Sequence, residues 1–195
     1  MQERKAVHYG QVELIPGIIC DVYILNDGTP VMSENGAADL LGIGRMALHR
    51  IEPKWPPKTL RPFIGGDFGI EPKSVINVTA KNSPCQGRNI TVYTSSFIES
   101  FIRGYSLALA NRKLRPNQKH IGERCVVLQS ALARSAIDTV IEQACGITPN
   151  IQQTVQEQCI KLMKQFGLKA SFPKEEIYWS EISLVKMLQQ LTNKL

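Results

Sequence analysis

The feature that most constrains this chain is a change of hydrophobic period at Thr94. Up to that residue the apolar positions alternate, as in Ser74-Val75-Ile76-Asn77-Val78-Thr79 and Asn89-Ile90-Thr91-Val92-Tyr93-Thr94. Beyond it they recur at helical spacing, with Phe97, Ile98, Phe101, Ile102, Tyr105 and Leu109 on one stripe. A chain that switches once from period two to period 3.6 folds as strands followed by helices, an α+β arrangement. Residues 1–94 therefore read as a strand-rich part with short helices. Residues 95–195 read as a bundle of three to four helices, one compact unit with the first part.

The strand-rich part contains two predicted hairpins. Ile18 to Leu25 is β-branched and apolar, Asn26-Asp27-Gly28 tolerates positive φ, and Thr29-Pro30-Val31-Met32 returns. Pro30 lacks a ladder donor, so the return strand lies at an edge or begins there. The second hairpin joins 74–79 to 89–94 through a loop rich in turn formers. Between the hairpins, Ser33 caps a short helix that Gly42 ends, and a second small helix spans Gly44 to Ile51. Glu52-Pro53-Lys54-Trp55-Pro56-Pro57-Lys58 reads as a semi-rigid loop, because proline removes donors and biases its predecessor.

In the helical part, the first helix ends near Lys113 and Pro116 lies in the break after it. The next helix carries Ile121, Cys125, Leu128, Leu132, Val140, Ile141 and Ala144, and stops at Gly146. A third opens at Thr148-Pro149 and ends at Gly167, and Ser180 to Leu191 is a fourth amphipathic stretch that packs within the chain or between copies in a homodimer.

Charge narrows the function. The chain of 195 residues carries 23 Lys and Arg against 17 acids, a net +6. From Arg103 to Arg134 seven basic side chains meet only Glu123, so this one segment carries an excess equal to the whole imbalance. Such a band fits a polyanion or an acidic protein face. Arg103, Arg112, Lys113, Arg115, Lys119 and Arg124 are its candidate contacts around the helix break, with Arg45, Arg50 and Lys54 beside Trp55 as a second set.

Catalysis finds little support. No Gly-x-Ser-x-Gly, His-Glu-x-x-His or phosphate-loop pattern occurs, and Gly65-Gly66-Asp67 reads as a turn. Asp138 and Glu142 share a helix face at i, i+4 spacing, but Arg134 precedes Asp138 by four, which favours a surface ion pair. Five scattered cysteines without a Cys-x-x-Cys and three distant histidines, His8, His49 and His120, offer no metal spacing, so neither metal nor cofactor is expected. No apolar stretch approaches the roughly 20 residues of a membrane span. The opening residues carry no signal-peptide pattern, so the expected location is the cytosol of a host bacterium, with no membrane partner.

Several motifs in fixed order add a family resemblance. Asp27-Gly28-Thr29-Pro30-Val31-Met32-Ser33 with Gly36 and Leu40-Leu41-Gly42, then Leu60-Arg61-Pro62-Phe63-Ile64, resemble the opening motifs of a domain family of phages and mobile elements labelled P-sixty-three-C. The helix from Phe97 to Lys113, the stretch Gln118 to Ile137, Ala144-Cys145-Gly146 and Phe172 to Tyr178 resemble its later elements. Glu142-Gln143 stand where that family often has Asp-Glu. The resemblance spans about Ile15 to Trp179 and implies a phage or mobile-element setting. The first forty residues also resemble the layout of phage antirepressor amino-terminal domains, which are thought to touch DNA. Together these readings favour a non-catalytic regulator that binds nucleic acid. The alternative is a protein-binding inhibitor of a host defence complex, of anti-CRISPR type, anchored on Trp55.

Overall fold

The computed structural model describes residues 3–64 and 73–165. Five strands, β1 (Lys5–Ile15), β2 (Ile18–Leu25), β3 (Pro30–Ser33), β4 (Lys73–Val78) and β5 (Asn89–Thr94), close into a barrel in the order β1-β2-β3-β5-β4. An odd ring cannot alternate strand direction all the way round, so one contact must be parallel. Here it is the short β1–β4 seam, where Lys5 faces Asn77 and Ala6 faces Val78. Every other pairing is antiparallel.

Both predicted hairpins are present, and Pro30 begins β3 as its missing donor requires. The strand β1 is an addition to the expectation. Only Ala6 and Ile15 along it are buried, and its polar residues hide the alternation. It turns into β2 at Gly17, whose φ is 81°. Tyr23, Leu25, Val31, Ile76, Val78 and Val92 fill the barrel with Ala6 and Ala80. The Tyr23 hydroxyl reaches the buried Ser83 Oγ at 3.3 Å.

The helices build a second core on this barrel. Helix α1 (Glu34–Leu41) starts where Ser33 Oγ accepts from the Gly36 amide and ends at Gly42, which is left-handed at φ 68°. Helix α2 (Arg45–Ile51) follows, then a 3₁₀ turn at Glu52–Lys54 and the short α3 (Arg61–Ile64). The turn corrects the expectation of a loop free of helix from Glu52 onward: proline is admitted in a first turn, where its missing N–H has no partner to lose.

Thr94 is both the last residue of β5 and the cap of α4 (Ser95–Ala110), its Oγ accepting from the Phe97 amide at 3.2 Å. The period therefore changes at the residue where the element changes. Helix α5 (Lys119–Ala144) packs along α4. At their crossing Gly122 permits close approach, since a Cβ there would lie 2.6 Å from Leu114 Cδ1 and 3.0 Å from Leu109 Cβ. Helix α6 (Ile151–Gln165) packs on α5 and on β1, where Gln156 Nε2 donates to the Glu13 carbonyl at 2.6 Å.

The cap of α6 is Asn150, whose Oδ1 accepts from the Gln153 amide, and not Thr148. Asn150 stands directly before the first helical residue, the position from which a side chain reaches the free amides. The described residues thus hold mixed α+β structure with strands first and three long helices after. The expected helix end at Gly167, the Phe172–Tyr178 element, the fourth helix at Ser180–Leu191 and the Gly65-Gly66-Asp67 turn lie outside the described residues.

Candidate nucleic-acid interface at the α4–α5 corner

The band of positive charge divides once the chain is folded. Arg124 leaves it entirely. It is 4% exposed, its Nε donates to the Leu40 carbonyl at 2.6 Å, and its Nη2 donates to the Asp39 carbonyl. The guanidinium thus caps the carbonyl end of α1, where a cation also complements the helix dipole. Burial lowers its pKa to about 10, still leaving it charged at neutral pH. Gly42 is required at that end for a second reason, since a Cβ there would come within 2.6 Å of Arg124 Cδ. Arg124 is therefore part of the core and no surface contact.

Arg103 lies half-exposed on α4 with its Nε 3.0 Å from Glu99 one turn earlier, an ordinary i, i+4 pair. Arg134 likewise holds Asp138, with Nε 3.0 Å from both carboxylate oxygens. Asp138 thus has the helix-surface ion pair that its spacing from Arg134 implies.

Four cations remain together on the loop joining α4 to α5. Arg112, Lys113, Arg115 and Lys119 are all exposed, and none lies in a salt bridge among the described residues. The chain reaches them through a Schellman turn: the Lys113 amide donates to the Ala108 carbonyl and the Arg112 amide to the Leu109 carbonyl, both at 2.9 Å. Arg112 holds the left-handed position of that turn at φ 55°, alone among the described residues other than glycine. Arg115 then stands with extended backbone directly before Pro116, which opens a 3₁₀ turn running straight into α5. Lys119 is the first residue of α5, whose first turn holds no acid.

On the same face of α5, burial lowers the His120 pKa first, with the Arg124 charge adding to it, and raises that of Glu123, against a smaller opposing pull from Lys119. Below the ordinary histidine range this makes His120 a group that resists protonation. Glu123 is drawn toward its neutral form by the same burial.

The second predicted set is less uniform. Arg50 and Lys54 are exposed, and Arg45 Nε is 3.8 Å from Glu34. Trp55 is partly buried, stacked on Phe101 at 5.6 Å between centroids and edge-on to Phe97 at 5.0 Å. One side of its ring therefore lies against the helical core.

Around this set lies a polar chain that the sequence did not point to. Lys73 Nζ is 2.5 Å from Glu52 Oε2 and 3.4 Å from His49 Nδ1, and His49 Nδ1 is in turn 3.8 Å from Glu34. The buried Tyr93 hydroxyl has no hydrogen-bond partner among the described residues. Burial first, then the Glu34 and Glu52 charges, push its pKa far above the phenol range. The ion pairs tie α1, α2, the 3₁₀ turn and β4 together. Opposite charges already occupy both carboxylates, and no group of three metal ligands occurs among the described residues.

All five cysteines are free; Cys20, Cys125 and Cys159 are buried, Cys85 is partly so and Cys145 is exposed. Burial raises Cys20 and Cys159 to about 11 and Cys125 higher still, which suppresses the thiolate needed for reaction. No helix among the described residues is long and apolar enough to cross a membrane. No family model, no curated protein and no solved structure matches the chain.

Proposed function

We propose that this chain is a non-catalytic phage or mobile-element protein that binds nucleic acid through the α4–α5 corner, as a regulator of antirepressor type. Phosphate oxygens would meet Arg112, Lys113, Arg115 and Lys119, with Arg50 and Lys54 at a second patch. The resemblance of the motif order to the phage-associated family supports the setting, and the corner supports the chemistry.

The observation that carries the reading is where these cations stand. Local helix chemistry favours glycine at the left-handed position that Arg112 occupies. It favours serine, threonine, aspartate or asparagine at the position of Arg115, and acids in the first turn where Lys119 lies. Three neighbouring positions therefore hold a cation where stability alone would select something else. Side chains in sparsely populated backbone regions concentrate at functional sites. A solvated helix face needs no such substitutions.

Arg112→Gly separates binding from stability. Relief of the left-handed conformation, roughly 1–2 kcal/mol for a non-glycine residue, outweighs the added freedom of the unfolded chain, about 0.5–1 kcal/mol. The variant is expected to melt slightly higher than the parent while binding a random-sequence duplex more weakly, read by fluorescence anisotropy at low salt. Parent protein that binds neither duplex nor single strands at low salt ends the proposal. The competing role as an inhibitor docking on a defence complex has less support, because the ring of Trp55 is held against Phe97 and Phe101.

A further inference from the structure

Helices α1 and α2 form a unit that the basic corner does not absorb. Helix α1 ends in a Schellman turn: the Ile43 amide donates to the Ala38 carbonyl at 3.1 Å and the Gly42 amide to the Asp39 carbonyl at 3.3 Å. Only Gly42, Ile43 and Gly44 separate it from α2, whose first bonds run from the Ala47 and Leu48 amides to the Gly44 carbonyl. Two short helices joined by three residues, with a left-handed glycine at the bend, have the layout of a helix-turn-helix. The apolar positions fit it as well. Ala37, Ala38, Leu40 and Leu41 bury α1, while Ile43, Leu48 and Ile51 pack the turn and the second helix onto the same core. Within α2 only Leu48 is buried, and Arg45, Met46, Ala47, His49 and Arg50 are exposed.

At about 3.6 residues per turn, Met46, His49 and Arg50 stand opposite Leu48 and Ile51, with Arg45 at the rim. No acid lies on α2, and the two beside it are engaged: Glu34 is 3.8 Å from both Arg45 and His49, and Glu52 is 2.5 Å from Lys73. A face of this sign fits a polyanion. The major groove of B-form DNA, about 12 Å wide, admits an α-helix, whereas that of A-form RNA is too deep and narrow for side chains to read. We propose that α2 is a recognition helix that lies in the major groove of duplex DNA and reads a short sequence there, with Arg50 forking onto a guanine and Met46 against a thymine methyl. This rests on the nucleic-acid reading above and adds sequence readout to it, moving Arg50 from phosphate to base. Lys54, just beyond α2, and the corner cations stay on phosphate, where contacts position the protein. Arg124 joins the two parts. Its guanidinium holds the Asp39 and Leu40 carbonyls at the end of α1, and Lys119 of the corner stands on the same helix about 7.5 Å earlier.

Selection by the full chain from a pool of randomised DNA duplexes, followed by anisotropy on the enriched sequence and on random duplex, tests this. The parent is expected to enrich one short sequence. Arg50→Lys keeps the charge but loses the planar fork. It is expected to retain the salt slope and the affinity for random duplex while its preference for the enriched sequence falls about tenfold. Because Arg50 is exposed, the variant should melt with the parent. Alanine at Arg112, Lys113, Arg115 and Lys119 together should weaken binding to both duplexes and keep their ratio. A parent that binds duplex DNA with a salt slope but enriches nothing overturns the recognition helix and leaves the corner standing. A parent that binds no nucleic acid ends both. A preference that survives both Arg50→Lys and Met46→Ala, or that is equal for the same sequence as duplex RNA, overturns it as well.

Discussion

Replacing Arg112, Lys113, Arg115 and Lys119 together by alanine should abolish most of the salt dependence of duplex binding. The four phosphates neutralised at the corner contribute about −3.6 to the parent's slope of log affinity against log salt, from about −0.9 per phosphate. Between 50 and 200 mM salt that slope amounts to roughly a hundredfold loss of affinity. The quadruple variant should bind weakly at 50 mM and change little as salt rises, with residual attraction left to Arg50 and Lys54. Its melting temperature should hold or rise, since none of the four makes an internal salt bridge among the described residues and Arg112 sits in a left-handed conformation. Arg103→Ala is the control. Its charge already faces Glu99, so the slope should barely move. A parent slope near zero, or a quadruple variant with an unchanged slope, removes the corner from the function.

Arg124→Met should produce the opposite pattern, with binding chemistry intact and stability lost. The thioether follows the course of the arginine stem but cannot donate, leaving the Asp39 and Leu40 carbonyls without their guanidinium partner. The Asp39 carbonyl keeps the Gly42 amide, so the Leu40 carbonyl is the buried acceptor left unsatisfied, at a cost of about 1–3 kcal/mol. For a chain of this size each kcal/mol lowers the melting temperature by about 2–4 °C, so a drop on the order of 5 °C is expected by calorimetry. Arg124→Lys should fall between the two, because a single ammonium cannot reproduce a planar fork that reaches adjacent carbonyls. Below its melting point the methionine variant should keep the parent's salt slope. A melt within a degree or two of the parent would show that the cap contributes little.

The contrast between these variants also marks what the sequence made legible. Local rules placed the elements: Ser33 and Gly42 bracket α1, Asn26-Asp27-Gly28 turns between β2 and β3, and Thr94 separates strand from helix. What failed was non-local. Strand β1 pairs with β2 beside it but also with β4 more than seventy residues away, and that seam follows from ring closure rather than from any short pattern. Trp55 reads as an exposed anchor in a proline-rich loop until α4 brings Phe97 and Phe101 beneath it. Arg124 was the avoidable error. It lies in register with Ile121 and Leu128 on the apolar stripe of α5, and a cation inside such a stripe is a candidate for burial against backbone carbonyls. The four corner cations lie in the connection between α4 and α5 and at its end, off any apolar stripe, which is why their exposure followed from the sequence.

Helix α5 runs unbroken for 26 residues, about 39 Å. One rod therefore starts at the exposed cations of the corner and carries the exposed Ile137, Val140 and Ile141 near its finish, and it fixes the distance between them.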